Sequence, residues 1–371
     1  MSSGVAHYRL GPFLLASEIP LPELEPLDAA STSTDDGSAG ASPAIAGPAT
    51  VSIRLAAVPQ RIANVVANES RWWASRQEYL LRVPEIANFL VRHGREVLVD
   101  PAPGALPADI RAYLLAPIFS SLCHQAGMYS LHASAVRVGT GVVAFLGNSG
   151  AGKSTLAAGL AQRGYTIIAD DICLLDTRPN HKEVRNCNEV KNCNEVKNCN
   201  EVKNCHSERS EESPHFVQSP IPHPIRENVL VIPVAPALKL WRSALDHLGG
   251  SHESLPRVFS RDDKVRIPVP QPTGIPLRLP LRQVLFLEWA EEEGKQPGIT
   301  PVQGVHAVTR LMEFTHYDYL MKPTGRQTGN FLLCGRILSQ ARAFTLRRPR
   351  GFAHLNRTLD ALELHLAAIK E

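Results

Sequence analysis

The residues of this chain best equipped for chemistry stand together at Gly147-Asn148-Ser149-Gly150-Ala151-Gly152-Lys153-Ser154, with Thr155 next. The spacing is that of a phosphate-binding loop, G-x-x-x-x-G-K-[ST], without a substitution. Glycines at 147, 150 and 152 free the backbone to wrap phosphate oxygens, Lys153 can reach β and γ phosphates, and the Ser154 hydroxyl suits Mg²⁺. A second reactive pair, Asp170-Asp171, closes the apolar run Tyr165-Thr166-Ile167-Ile168-Ala169. Carboxylates at the C-terminal end of a strand lie on the edge where α/β sheets bind ligands. Neighbouring strand residues face opposite sides, so one aspartate faces the nucleotide while the other serves Mg²⁺ or supports the first.

Such groups work only if something rigid holds them. Val142-Val143-Ala144-Phe145-Leu146 before the loop is the unbroken apolar run of a buried parallel strand. After it, Thr155 to Arg163 carries apolar residues at helical spacing, and Gly164 stands at the expected stop. Strand, glycine loop and helix start in that order aim several backbone N–H groups at one small volume, which wants an anion. The expected ligand is a nucleoside triphosphate.

The chain has 371 residues, enough for two domains, and is 44% hydrophobic, ample for real cores. A net charge of +3 argues against a nucleic-acid footprint, which needs clustered Lys and Arg. Met1 to Leu15 holds one arginine and no long apolar core, and no run of about 18 apolar residues occurs, so the reading is no membrane span and a cytoplasmic protein. A homo-oligomer is left open. Of seven cysteines, four (Cys187, Cys193, Cys199, Cys205) belong to one repetitive tract, and Cys123, Cys173 and Cys334 read as small buried hydrophobes in a reducing compartment.

Upstream, Phe13-Leu14-Leu15 is a short strand candidate, and Ala29 to Thr50 is too rich in Ser, Thr, Gly, Ala and Pro to offset the entropy of ordering it. Strand patterns follow at Val51–Leu55, Tyr79–Val83 and Phe89–Arg92, and His93-Gly94 turns the chain into Arg95–Val99, a small antiparallel module in which Trp72 and Trp73 pack. Pro107 to Ala126 reads as a helix kinked at Pro117. Tyr129 to Val138 and Val142 to Leu146 read as a hairpin feeding the loop.

From Lys182 the chain carries a period of six residues, ending in three identical copies of Asn-Glu-Val-Lys-Asn-Cys at Cys205. Six helical residues turn through about 600°, so the valines make no apolar face. The cysteine spacing fits no metal pattern. A disordered surface insertion over residues 180–220 is expected. Beyond it, Asn228–Ile232, Leu238–Trp241, Gln283–Glu288 and Ala343–Leu346 read as strands, and Val305–Leu320, Asn330–Gln340 and Leu355–Lys370 as helices. Arg347, Arg348 and Arg350 read as a solvated turn.

The run from Leu131-His132-Ala133-Ser134-Ala135-Val136 through the loop to Ala169-Asp170-Asp171 resembles the catalytic core of HPr kinase/phosphorylase, which phosphorylates a serine of the phosphocarrier HPr. The likeness is specific over about 45 residues. It implies an α/β fold: a P-loop kinase-type domain over residues 128–371, interrupted by the insertion, behind a mostly β module over residues 1–127. Lys153 would hold the phosphates and Ser154, with Asp170, the Mg²⁺. Asp171, with Asp170 as the alternative, would take the acceptor hydroxyl's proton, and His132 would orient that carboxylate or the phosphoryl group.

Asn148 stands where the family has an acidic residue, and the family's glycine-containing segment after the aspartate pair, linked to the reverse phosphorolysis, is not found. The whole layout, including Pro236-Ala237-Leu238-Lys239-Leu240-Trp241, is closer to HPr-kinase-related proteins that accompany peptide natural-product genes. The resemblance thus implies an ATP- and Mg²⁺-dependent serine kinase acting on an HPr-like protein or a precursor peptide. A small-molecule kinase and a non-catalytic ATP sensor are the alternatives. Arg326, Arg336 and Arg347 are candidates to stabilise transferred charge.

Overall fold

Val142-Val143-Ala144-Phe145-Leu146 sits at the centre of the fold because both of its faces are covered. Val142, Ala144 and Leu146 point into one hydrophobic cluster, with Ala307 and Leu311 of the helix Gly304–Glu313 and Cys334 and Ile337 of the helix Asn330–Leu338. Val143 and Phe145 point into another, with Leu156 and Leu160 of the helix Lys153–Gln162 and Leu359 and Leu362 of the helix Leu355–Ala367. Burying each such side chain contributes roughly 1.5–3 kcal/mol, so a strand covered on both sides gains from an unbroken apolar run.

The computed structural model describes residues 4–27, 49–177, 229–234, 237–269, 276–291 and 295–369. These belong to one unit, residues 1–177 with 229–371. The expected insertion at 180–220, its four cysteines and residues 29–48 of the stretch expected to be flexible lie outside the described residues, whereas Ala49 and Thr50 open a strand. The architecture is mixed α/β. Among the described residues no helix is long and apolar enough to cross a membrane.

The N-terminal strands are β1 (Ala6–Leu10), β2 (Phe13–Ser17), β3 (Ala49–Leu55), β4 (Ala67–Asn68), β5 (Trp72–Ala74), β6 (Glu78–Val83), β7 (Ala87–Arg92) and β8 (Glu96–Pro101). They form one sheet in the order β1-β2-β3-β8-β7-β6-β5-β4. The antiparallel expectation needs correction: β2–β3 and β3–β8 are parallel pairs. Long connections precede β3 and separate it from β8, and only short turns force antiparallel pairing. The β7–β8 turn is as expected, with His93 and Gly94 both at positive φ, the backbone of a tight hairpin. Trp72 is buried and stacks on Tyr319 with ring centroids 4.4 Å apart.

The hydrophobic cluster under this sheet also contains Leu114, Ile118 and Phe119 of the helical segment 107–125, together with Ile172, Leu174 and Ile232. That segment stays helical past Pro117 by widening into a π turn over Leu114–Ile118, which accommodates the proline's missing N–H.

The second half builds on β9 (Tyr129–Leu131), β10 (Ala133–Val138), β11 (Gly141–Leu146), β12 (Ile167–Ala169), β13 (Cys173–Asp176), β14 (Leu230–Ile232), β15 (Ala237–Trp241), β16 (Lys264–Pro268), β17 (Leu279–Trp289), β18 (Gly298–Val302) and β19 (Arg342–Arg348). The main sheet runs β12-β10-β11-β17-β14-β13-β9, with β19 on β17 and β18 on β19. Pairs β11–β17 and β17–β19 are parallel, so three strands end on one edge. The expected first strand of the hairpin breaks at His132: β9 pairs with β13, while β10 pairs with β11 and β12.

The expected helix Val305–Leu320 is also corrected. It ends at Glu313; Thr315 then bridges Leu131, and Tyr317 turns left-handed at φ 51°. Pairing with β9's end competes with helix continuation and wins. Cys123, Cys173 and Cys334 are free and buried, as expected.

Candidate functional site

The loop 147–152 leaves the end of β11 and enters the helix Lys153–Gln162. Two of its glycines are required by the backbone, Gly150 at φ 82° and Gly152 at φ 79°. A Cβ on Gly152 would also lie 2.7 Å from Arg348 Nη2, and one on Gly147 would lie 2.9 Å from Ala151 Cβ. The glycines therefore serve conformation and close approach together.

Lys153 is buried and folded back on its own loop. Its Nζ donates to Gly147 O at 2.7 Å, to Asn148 O at 3.2 Å and to His132 Nε2 at 3.0 Å. Burial pushes the ammonium down to about 8, against the pull of Asp171 and Asp170. An ammonium has only donors, so His132 Nε2 accepts and its ring proton sits on Nδ1. Nδ1 faces Asp171, 3.1 Å from its carbonyl oxygen and 3.3 Å from Oδ1. The break between β9 and β10 makes this reach possible: His132 leaves the ladder, and its backbone N–H donates to Phe314 O at 2.8 Å.

The two carboxylates differ. Asp170 is buried, and its Oδ1 accepts from Ser134 Oγ at 2.6 Å and Ser154 Oγ at 2.8 Å, while Oδ2 accepts from the Lys239 backbone N–H at 2.8 Å. Burial raises its pKa, and these hydrogen bonds pull the other way. Asp171 lies past the end of β12 with φ 71°, a strained backbone for a residue with a Cβ. Its side chain is 26% exposed, and its Oδ2 pairs with Lys239 Nζ at 2.6 Å. Burial would raise its pKa, but the Lys239 ammonium and the hydrogen bond from His132 outweigh that and hold the carboxyl well below the usual range.

His316 completes the cluster and was not singled out from the sequence, because the helical pattern ran straight through it. Its ring stacks on His132 with centroids 5.3 Å apart, its Nδ1 lies 2.8 Å from Ser120 Oγ, and its carbonyl accepts from His124 Nε2 at 2.8 Å. Burial lowers its pKa to about 3, so it is neutral near pH 7. Lys239 was given no role, although the stretch Pro236–Trp241 that holds it carries part of the resemblance; it stands between Leu238 and Leu240, both buried on β15.

The ligating atoms of His132, Asp171 and His316 lie within 4.8 Å of one another. Lys239 on Asp171 and Lys153 on His132 already bring positive charge there. For a hard cation such as Mg²⁺ the better donors are Ser154 Oγ and Asp170 Oδ1, both oxygens and already in contact.

The arginines divide. Arg348 is buried rather than solvated: it donates to Ala151 O in the loop and stacks over Trp289 at 4.1 Å. Arg347 pairs with Glu288 at 2.9 Å, and Arg326 donates to Met128 O, away from the loop. Of the three candidates, Arg347 lines a cavity beside the loop. Compared with known proteins, the chain matches no family model and no curated protein.

Proposed function

We propose that this chain is an ATP- and Mg²⁺-dependent kinase that transfers the γ-phosphate to a serine hydroxyl of a protein or peptide. One observation carries the reading: two adjacent carboxylates, one sealed against the loop serine and one ionised and reachable, stand beside a phosphate loop. Phosphoryl transfer asks for little more than charge neutralisation, positioning and an oriented nucleophile.

Lys153 leaves the Gly147 and Asn148 carbonyls to bind phosphate oxygens, exchanging one set of acceptors for a charged one. Ser154 and Asp170 would hold Mg²⁺, which neutralises charge on the phosphates when bound. Asp171, kept ionised by Lys239, accepts the acceptor serine's hydrogen bond and receives its proton as the serine oxygen bonds to phosphorus and the β–γ bridge breaks. Its low basicity suits a transfer in which the proton moves late. Asp170 is less suited, since it is buried beneath three internal donors, whereas the Asp171 side chain is 26% exposed. His132 fixes Asp171, and His316 backs His132.

The test is transfer of labelled phosphate from Mg-ATP to an HPr-like carrier of the same organism and to precursor-type peptides, with Lys153→Ala as blank. Labelled phosphoserine in the wild type alone supports the reading. ATP binding with no phosphorylated acceptor supports the sensor instead.

A further inference from the structure

The three parallel strands β11, β17 and β19 end on the same edge, and a cavity of about 510 Å³ opens there. One wall is the phosphate loop, through Asn148, Ser149 and Ala151; the other is the end of β17, through Leu287, Glu288 and Trp289. The volume falls within the roughly 300–1,000 Å³ typical of small-molecule sites, and the crevice outside the carboxyl ends of parallel strands is where such sheets bind ligands. Asp171 and its partners do not line it, so it is distinct from the place where an acceptor hydroxyl would sit.

Two residues of its β17 wall are held by neighbours. The Glu288 carboxylate is held on both sides, by Arg310 and Arg347, each at 2.9 Å. The Trp289 indole is half-buried under the Arg348 guanidinium, which is itself anchored on Ala151 O of the loop. That chain of contacts ties the Trp289 ring, which also has the Arg350 guanidinium 5.7 Å from its centroid, to the loop backbone. A flat aromatic group on a preordered support, next to a triphosphate cradle, is what a nucleobase requires.

We infer that this cavity holds the nucleoside part of the bound triphosphate, with the base stacked on Trp289. The inference rests on the nucleotide-binding reading above and adds to it the residue that distinguishes a nucleotide from bare phosphate. Arg348 acts as a positioning residue, locking Trp289 to the loop.

The experiment is calorimetric titration of the full chain with Mg-ATP and, separately, with inorganic tripolyphosphate. Wild type is expected to bind ATP about tenfold more tightly than tripolyphosphate, the scale of one base stack. Trp289→Ala should lose that preference while its tripolyphosphate affinity stays unchanged, and Trp289→Phe should restore most of it. If Trp289→Ala fails to fold, Trp289→Leu serves, keeping bulk without the aromatic face. Equal binding of the two ligands by wild type, or a preference that survives in the variants, overturns the base site and leaves the phosphate loop standing. No binding of either ligand overturns both.

Discussion

Asp170 is sealed among two serine hydroxyls and a backbone N–H, while its neighbour Asp171 faces the Lys239 ammonium and the His132 ring and keeps a quarter of its side-chain surface open. The first belongs to the loop side of the site, whose groups are hydrogen-bonded and pre-set. The second belongs to the side we assign to the acceptor, whose charge balance depends on Lys239 arriving from β15 and His132 from the strand break. One residue of separation, with a left-handed backbone at Asp171, is enough to turn two identical carboxylates to different surroundings. Environments that push a pair apart are how one site obtains two roles from one residue type.

The largest expected effect breaks the acceptor side alone. Asp171→Asn should lower kcat by roughly 10²–10⁴, the range of a lost acid–base group, and leave ATP affinity within about twofold in a binding titration. Asp170→Asn should instead weaken the Mg²⁺ dependence of binding, so a mutant pair with the same profile would erase the distinction.

Lys239→Met should cost about tenfold in kcat and move the acid limb of the pH–rate profile upward. The sign follows from Asp171: its pKa is held down, so its ionised form persists as pH falls through the ordinary carboxylate range, and without the Lys239 ammonium burial pushes the pKa back up. An unmoved acid limb would place the proton acceptor elsewhere.

On the loop side, Lys153 with its pKa near 8 gives the opposite limb. Its ammonium, the form that would bind phosphate in the proposed function, is lost as pH rises through about 8, so kcat/KM should fall above that pH, by about tenfold per unit once well past it. Lys153→Arg should remove this limb even if it lowers the plateau. The smallest effect expected is from Ser134→Ala, which removes one of two hydroxyl donors to Asp170 Oδ1 and should raise the Mg²⁺ requirement several-fold without touching the pH limbs.

The two sides also differ in how far they could be read from the chain. Gly147 to Ser154 is contiguous, and its strand and helix are set by local periodicity, so the loop is legible in the sequence alone. Asp170 and Asp171 were legible as a pair but not as unequal partners, because the inequality comes from Lys239, nearly seventy positions later, whose side chain reaches Asp171 and whose backbone N–H reaches Asp170. His316 was hidden by a helical pattern that continued through it, where bridging of Thr315 to Leu131 ends the helix in fact. Arg348 read as solvated because a run of arginines carries no sign of the Trp289 ring and Ala151 carbonyl that bury it. In the N-terminal half the strands were legible from alternation, while the parallel direction of β3 was not, since direction is set by partners distant in sequence.

The most direct test of the account measures two quantities on one sample: ATP affinity and transfer of labelled γ-phosphate to a serine-containing HPr-like carrier or precursor peptide, for wild type and Asp171→Asn. The account predicts transfer by wild type, and in the variant unchanged affinity with transfer reduced at least a hundredfold. Equal transfer by both proteins would contradict the role given to Asp171, and tight ATP binding with no transfer to any acceptor would contradict the kinase itself.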